Sequence, residues 1–179
     1  GTSLDSECIT LSFGYRSYSA NEMMEALDLS PQKRNNDYYI DPSWLKDLGK
    51  SEIPNSAVNQ ALKLLNIDRL PTEFFGCFVT RLDLFAQQKF NEMMAFEESI
   101  EIEESASYIL SPICRIAYQK IKAELHVFIN GEPFDTQLFD NELLIKFCNS
   151  RVIKINNQSI LLAKKLSSLN LIEKISDYY

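Results

Sequence analysis

The chain has no apolar run close to the roughly 18 residues that a membrane-spanning helix requires, and the stretch from Gly1 carries no basic-then-apolar signal pattern. No membrane role is expected, and the expected location is the cytoplasm. Histidine is almost missing. His126 is the only one in 179 residues, so the chain contains no His-x-Asp pair, no His-Glu-x-x-His and no two-histidine metal site. On an apolar-patterned strand position, His126 reads as a structural histidine rather than a ligand. The cysteines Cys8, Cys77, Cys114 and Cys148 are scattered, with no Cys-x-x-Cys pair. That spacing removes zinc ribbons and thioredoxin-type motifs and leaves reduced, mostly buried thiols. The five glycines form neither Gly-x-Gly-x-x-Gly nor a phosphate loop. A serine–histidine–acid site is left without any nominated serine. Positive charge is also short: the formal net charge is −7, and an acidic chain repels nucleic-acid backbones, so DNA binding is disfavoured.

What remains is an ordinary globular composition, 45% hydrophobic and 24% charged, in a length that suits one domain or two small ones. Charge is unevenly spread. Residues 1–110 hold 9 Lys and Arg against 18 Asp and Glu, whereas residues 111–179 hold 9 against 7. The change suggests two units that meet near the acidic run Glu97–Glu104, whose carboxylates read as a solvated connector rather than a cation site.

The stretch Cys8–Ser19, CITLSFGYRSYS, looks like a strand without a sheet. Ile9, Leu11, Phe13 and Tyr15 alternate with Thr10, Ser12, Gly14 and Arg16, a period of two. A lone strand leaves its backbone groups unpaired, and the next convincing strands come about 100 residues later and pair with each other. Its partners are therefore expected upstream of Gly1, with this chain as the carboxy-terminal part of a larger protein.

Next comes Ser19-Ala-Asn-Glu22, a capping box that opens a helix bearing Met23, Met24 and Leu27. Asp41, Pro42 and Gly49 mark the start and end of another helix. A further helix is expected after Ile53-Pro54, with Val58, Ala61, Leu62 and Leu65 on one side. In LPTEFFGCFVTRL, the residues Phe74, Phe75, Phe78, Val79 and Leu82 form a broad apolar stripe, and Gly76 would let another backbone come close. The stripe reads either as the core of a small bundle or as a face shared with a second copy of the chain. A helix from Phe85 then gives way to the connector. Beyond it, Arg115–Gln119 and Glu124–Ile129 read as antiparallel strands joined by a Lys120–Ala123 loop, and Asn130-Gly131 reads as a tight turn. Leu138–Cys148 is expected to be helical, with Leu143, Leu144 and Phe147 inward. Ile160–Leu169 is expected to form the last helix and Leu171–Ile175 a closing strand. The fold class is α+β, mainly helical, ending in a winged-helix-like unit.

CITLSFGYRSYS also resembles the last core strand of the JmjC-type (cupin-like) ribosomal oxygenases, in which a T-x-S-x-G-[FY]-R pattern closes the catalytic β-barrel. NDYYIDP, FFGCFVTR and HVFINGEPFD, the last followed by two helices, match further stretches of that family in the same order. Together they span nearly the whole chain. The resemblance is closest to the bacterial group that hydroxylates an arginine of a large-subunit ribosomal protein. It implies a barrel holding iron(II) and 2-oxoglutarate, then a helical dimerisation region, then a winged-helix domain.

Mapped onto this chain, that organisation places the final barrel strand at 1–18, the dimerisation region at 19–95 and the winged-helix-like domain at 96–179. The iron ligands of the family lie upstream of the final strand and have no counterpart here. No catalytic residue, metal ligand or cofactor is therefore expected in this chain, and iron(II) and 2-oxoglutarate belong to the full-length parent. The one cofactor contact the resemblance carries over is Ser12, matching a serine that in some relatives hydrogen-bonds the 2-oxoglutarate carboxylate. Read from the pattern alone, Ser12 is a polar-face strand residue. The apolar stripe Phe74, Phe75, Phe78, Val79 and Leu82, together with Met23, Met24 and Leu27, is expected to form the interface of a homodimer, and the resemblance points the same way. The resemblance also implies a ribosomal protein as substrate of the parent. The competing reading is a free-standing winged-helix adaptor that binds a protein or nucleic acid.

Overall fold

A computed structural model of the chain describes residues 17–29, 37–40, 50–96 and 100–175. The elements, in chain order, are α1 (Ala20–Ala26), α2 (Asn55–Leu65), α3 (Phe74–Thr80), α4 (Leu84–Phe96), β1 (Ser107–Leu110), β2 (Ile116–Ile121), β3 (Glu124–Ile129), β4 (Glu132–Phe134), α5 (Asn141–Ser150), β5 (Val152–Lys154), α6 (Ile160–Ser168) and β6 (Ile172–Lys174). Two antiparallel three-stranded sheets result, ordered β2-β3-β4 and β5-β1-β6. The fold is α+β, as expected. The orphan strand through Arg16 and the helix expected between Asp41 and Gly49 lie outside the described residues.

The β2–β3 sheet divides two apolar clusters, and the period of two along its strands decides which side chain enters which. Leu125, Val127 and Ile129 point to one face, where Leu144, Phe147, Leu162 and Leu166 of α5 and α6 complete a core with Tyr108 and Ile172. Phe128 and its cross-strand partner Ala117 point to the other face, where Phe75 and Phe78 of α3 and Ala57, Ala61 and Leu65 of α2 meet them. The helical stretch before residue 96 and the unit after it therefore pack face to face across this sheet.

Local chemistry sets the boundaries. The Ser19 hydroxyl accepts from the Glu22 amide, and the Glu22 carboxylate accepts from the Ser19 amide at 2.8 Å, closing the capping box of α1. Asp140 caps α5 by accepting from the Leu143 amide at 2.9 Å, so that helix starts at Asn141 rather than Leu138, which lies 72% exposed in the preceding turn. The loop between β2 and β3 is only Lys122-Ala123, both at positive φ. This tight turn matches the twist of a hairpin although neither residue favours it, which is why a longer loop is read from the sequence. Asn130 and Gly131 are also both at positive φ and form the expected tight turn, which leads into β4, a strand not expected from the sequence. α3 ends at Thr80, so Leu82 falls beyond the helix. Where a close backbone is expected at Gly76, the structure instead brings a side chain there: the Phe128 ring.

The connector is held at its carboxyl end. The Tyr108 hydroxyl accepts from the Glu103 amide at 3.0 Å and donates to the Glu101 carbonyl, and the Ser167 hydroxyl donates to the Ile100 carbonyl at 2.6 Å. The carboxylates of Glu101, Glu103 and Glu104 stay exposed.

Candidate functional site

β4 is shorter than the strand it lies on, and a concavity opens where the two part. The β3–β4 ladder pairs Ile129 with Glu132, Phe128 with Pro133 and Val127 with Phe134, then stops. Pro133, which has no N–H to give, sits opposite Phe128 at a position that does not use one. Past Phe134 the chain leaves the strand, so Glu124, Leu125 and His126 keep β2 on one side and have no strand on the other. A groove of about 710 Å³ opens there. Its walls include Phe134, Thr136, Phe139, Glu73, Glu124, His126 and Asp135, and no Lys or Arg lines it.

The side chains sort by face. Phe134 stacks on Phe139, ring centroids 5.8 Å apart, against the α5–α6 core. His126 faces the α3 side, its Nδ1 3.4 Å from a Glu73 carboxylate oxygen and its Nε2 3.9 Å from Glu124. The Glu73 contact is long for a hydrogen bond, and both carboxylates stay accessible, Glu124 at 83%. Thr136 donates its hydroxyl to the Leu125 carbonyl at 3.4 Å.

A second feature ties together four stretches that are far apart in sequence. The Tyr39 amide donates to the Tyr18 carbonyl at 2.7 Å, and the Tyr18 ring meets Phe78 edge-on at 4.8 Å. The Tyr39 ring lies 5.7 Å from Phe75. Gly76 receives the Phe128 ring, and the Thr80 hydroxyl, itself donating to the Gly76 carbonyl at 2.8 Å, accepts from the Gly131 amide at 3.2 Å. The described parts of CITLSFGYRSYS, NDYYIDP, FFGCFVTR and HVFINGEPFD thus form one connected set of contacts. Sequence order alone does not reveal that connection.

Of the other residues singled out in the sequence, Ser12 and Arg16 lie outside the described residues. Phe75 and Phe78 are buried in the chain's own core, while Phe74, Val79 and Leu82 are half-buried. More exposed apolar side chains come next on α4, Leu84 at 93% and Phe85 at 71%, while Phe90 on the same helix packs against the core. Periodicity does not flag this pair, since the positions three and four residues on are Gln87, Gln88 and Lys89, none of them apolar.

Cys77, Cys114 and Cys148 are free thiols. Burial raises the pKa of each, helped at Cys77 by the nearby Glu73 carboxylate, so none has the lowered pKa of a nucleophile. Burial pushes the Cys148 thiol up to about 12 from an ordinary 9.0. The unfolded chain ionises this thiol at the lower value and the folded chain at the higher. Its contribution to stability is thus complete below about pH 9 and is lost as pH rises toward 12. Urea unfolding midpoints should fall across that window and fall less steeply in Cys148→Ala; equal slopes would contradict the assignment.

Among the described residues no three His, Cys, Asp or Glu side chains converge on a point that could hold a metal. No helix among them is long and apolar enough to cross a membrane. Residues 63–169, more than half of the chain, match the family model described as ROXA-like winged helix. The chain belongs to that family. No curated protein and no solved structure matches it. The ROXA-like winged helix match begins within α2 and runs through α6, so it takes in α3, the β2-β3-β4 sheet, β1, β5 and the groove, while β6 lies past its end. It also contains FFGCFVTR and HVFINGEPFD, whose Gly76–Phe128 and Thr80–Gly131 contacts join the helices to the hairpin. As a fit to a ROXA-type ribosomal oxygenase, the match concerns the carboxy-terminal region of such an enzyme.

Proposed function

We propose that this chain is the dimerisation and winged-helix portion of a cytoplasmic, 2-oxoglutarate- and iron(II)-dependent hydroxylase whose target is a ribosomal-protein arginine. The observation that carries the reading is the ROXA-like winged helix match over residues 63–169. The ordered motifs outside that span support it, since Tyr18 and Tyr39 dock onto the same α3 that receives the hairpin. In this reading the iron and 2-oxoglutarate belong to a barrel that the residues described here do not supply. A facial metal site needs two histidines, and the chain has one. No step of the hydroxylation is therefore assigned to these residues, and Ser12 is the only position proposed to touch 2-oxoglutarate. The part's work is mechanical: it docks Tyr18 and Tyr39 on α3 and pairs two copies of the enzyme.

Two measurements test the proposal. The gene upstream of the Gly1 codon should encode, in frame, a His-x-Asp pair and a later histidine; an in-frame stop there would favour the free-standing adaptor. Anaerobic titration of this chain with iron(II) and 2-oxoglutarate should show no saturable one-to-one site, and incubation with both in air should yield no succinate. A stoichiometric site or turnover would overturn this division of labour.

A further inference from the structure

The groove beside β4 has the features of a strand-docking site. Leu125, Val127 and Ile129 alternate on β3, so their backbone groups aim the same way, toward the side that β4 occupies. Val127 and Ile129 find β4 there, at Phe134 and Glu132. Leu125 finds none, because β4 ends at Phe134, and only its carbonyl is met by the Thr136 hydroxyl. One N–H of a central strand thus faces a groove of about 710 Å³ with no strand beside it. An extended chain laid along β3 would complete the ladder, the mode by which sheet edges take up peptides.

The two faces of the groove differ in chemistry. Glu73 and Glu124 stand on the α3 face beside His126, with Asp135 at the end of β4, and no Lys or Arg lines the groove. The opposite face is aromatic, with Phe134 stacked on Phe139, and Leu138 stands exposed in the turn that follows β4. A strand placed between them turns alternate side chains to opposite faces. The carboxylate face suits Lys or Arg, and the aromatic face suits apolar residues.

We infer that this groove binds an extended segment of a partner protein in which Lys or Arg alternates with apolar residues, its backbone pairing with Leu125. The inference stands on the groove and does not rest on the hydroxylase reading. Nucleic acid is the poorer occupant: three carboxylates line the groove, and a phosphate backbone would meet like charge at each. α5 adds only Lys146, four residues after Glu142 on the same helix.

The test uses the 179-residue chain and a synthetic peptide of about eight residues alternating Arg with Val, long enough to cover one ordinary strand. Binding by fluorescence anisotropy should saturate and should weaken as salt is raised. The double variant Glu124→Lys with Asp135→Lys alters exposed side chains only. It should keep the wild-type melting curve and lose about tenfold or more in affinity, as reversing two charges in a docking site does. A backbone readout separates strand pairing from loose charge attraction: amide exchange at Leu125 should slow on binding, while exchange at Val127, already paired with Phe134, should change little. Equal binding of an acidic Glu–Val peptide, unchanged affinity in the double variant, or peptide binding without protection at Leu125 would each overturn the inference. Tighter binding of duplex DNA than of the peptide would overturn it in favour of a nucleic-acid surface.

Discussion

Gly76→Ala should lower the melting temperature, although alanine is the better helix former. Replacing glycine inside a helix contributes up to about 1 kcal/mol from propensity alone. At this position, however, a Cβ would overlap the Phe128 ring on three of its atoms, well inside van der Waals contact. That ring is not the free end of a mobile side chain. It is fully buried, between α3 and the β2–β3 sheet, so its displacement disturbs the packing on which both rest. Overpacking a core by one methyl typically costs about 1–3 kcal/mol, which exceeds the propensity gain. In a protein of this length each kcal/mol shifts the midpoint by about 2–4 °C, so a fall of several degrees is expected by differential scanning calorimetry. The double variant Gly76→Ala with Phe128→Leu should recover part of the loss relative to Phe128→Leu alone. A melting temperature equal to or above wild type for Gly76→Ala would show that the Gly76–Phe128 contact does not bear on stability.

The same contact shows where sequence reasoning reaches and where it stops. Gly76 stands out in an apolar stripe, and a close approach follows from its missing side chain. The identity of the approaching group depends on a strand about 50 residues later, and a long-range partner leaves no local mark. The β2–β3 pair was legible from its alternation, and so were Asn130-Gly131 and the Ser19–Glu22 box, because each signal lies within a few residues. β1 and β5 were not. They are 4 and 3 residues long, and Ser107–Leu110 and Val152–Lys154 are too short to display a period. The groove was less legible still. It exists because β4 ends three residues before β3 does, and no residue type announces a missing strand partner. His126 was read as structural and without a metal. Its neighbour Glu73 comes from the approach to α3, outside any spacing a motif could capture.

Phe78→Asp should unfold the chain rather than merely separate two copies of it. Phe78 belongs to the stripe proposed to pair two chains, yet it is only 3% exposed within one. Its ring stacks on Phe74 at 5.6 Å and meets Tyr18 at 4.8 Å, and the Arg81 guanidinium lies over it at 4.1 Å. Removing such a ring costs about 3–5 kcal/mol before any charge is buried, a large share of the 5–15 kcal/mol that holds an ordinary domain together. Arg81 would offset part of the penalty for the new carboxylate, but it would not refill the ring's volume. The variant should therefore lose its cooperative melt and its near-ultraviolet circular dichroism. The informative change for pairing is the double variant Leu84→Asp with Phe85→Asp, at side chains that the chain leaves open. Exposed substitutions shift folding stability by about 0.5 kcal/mol or less, so this variant should keep a cooperative melt like that of wild type diluted to the monomer. Burying two such apolar side chains between copies, together with half-buried Phe74, Val79 and Leu82, contributes about 1.5–3 kcal/mol each against an association cost of about 4–15 kcal/mol. Sedimentation should show a wild-type dimer and a folded monomer for the double variant. A wild-type monomer at tens of micromolar would end the pairing proposal for this chain. A folded, monomeric Phe78→Asp would instead place Phe78 at the interface and remove it from the core.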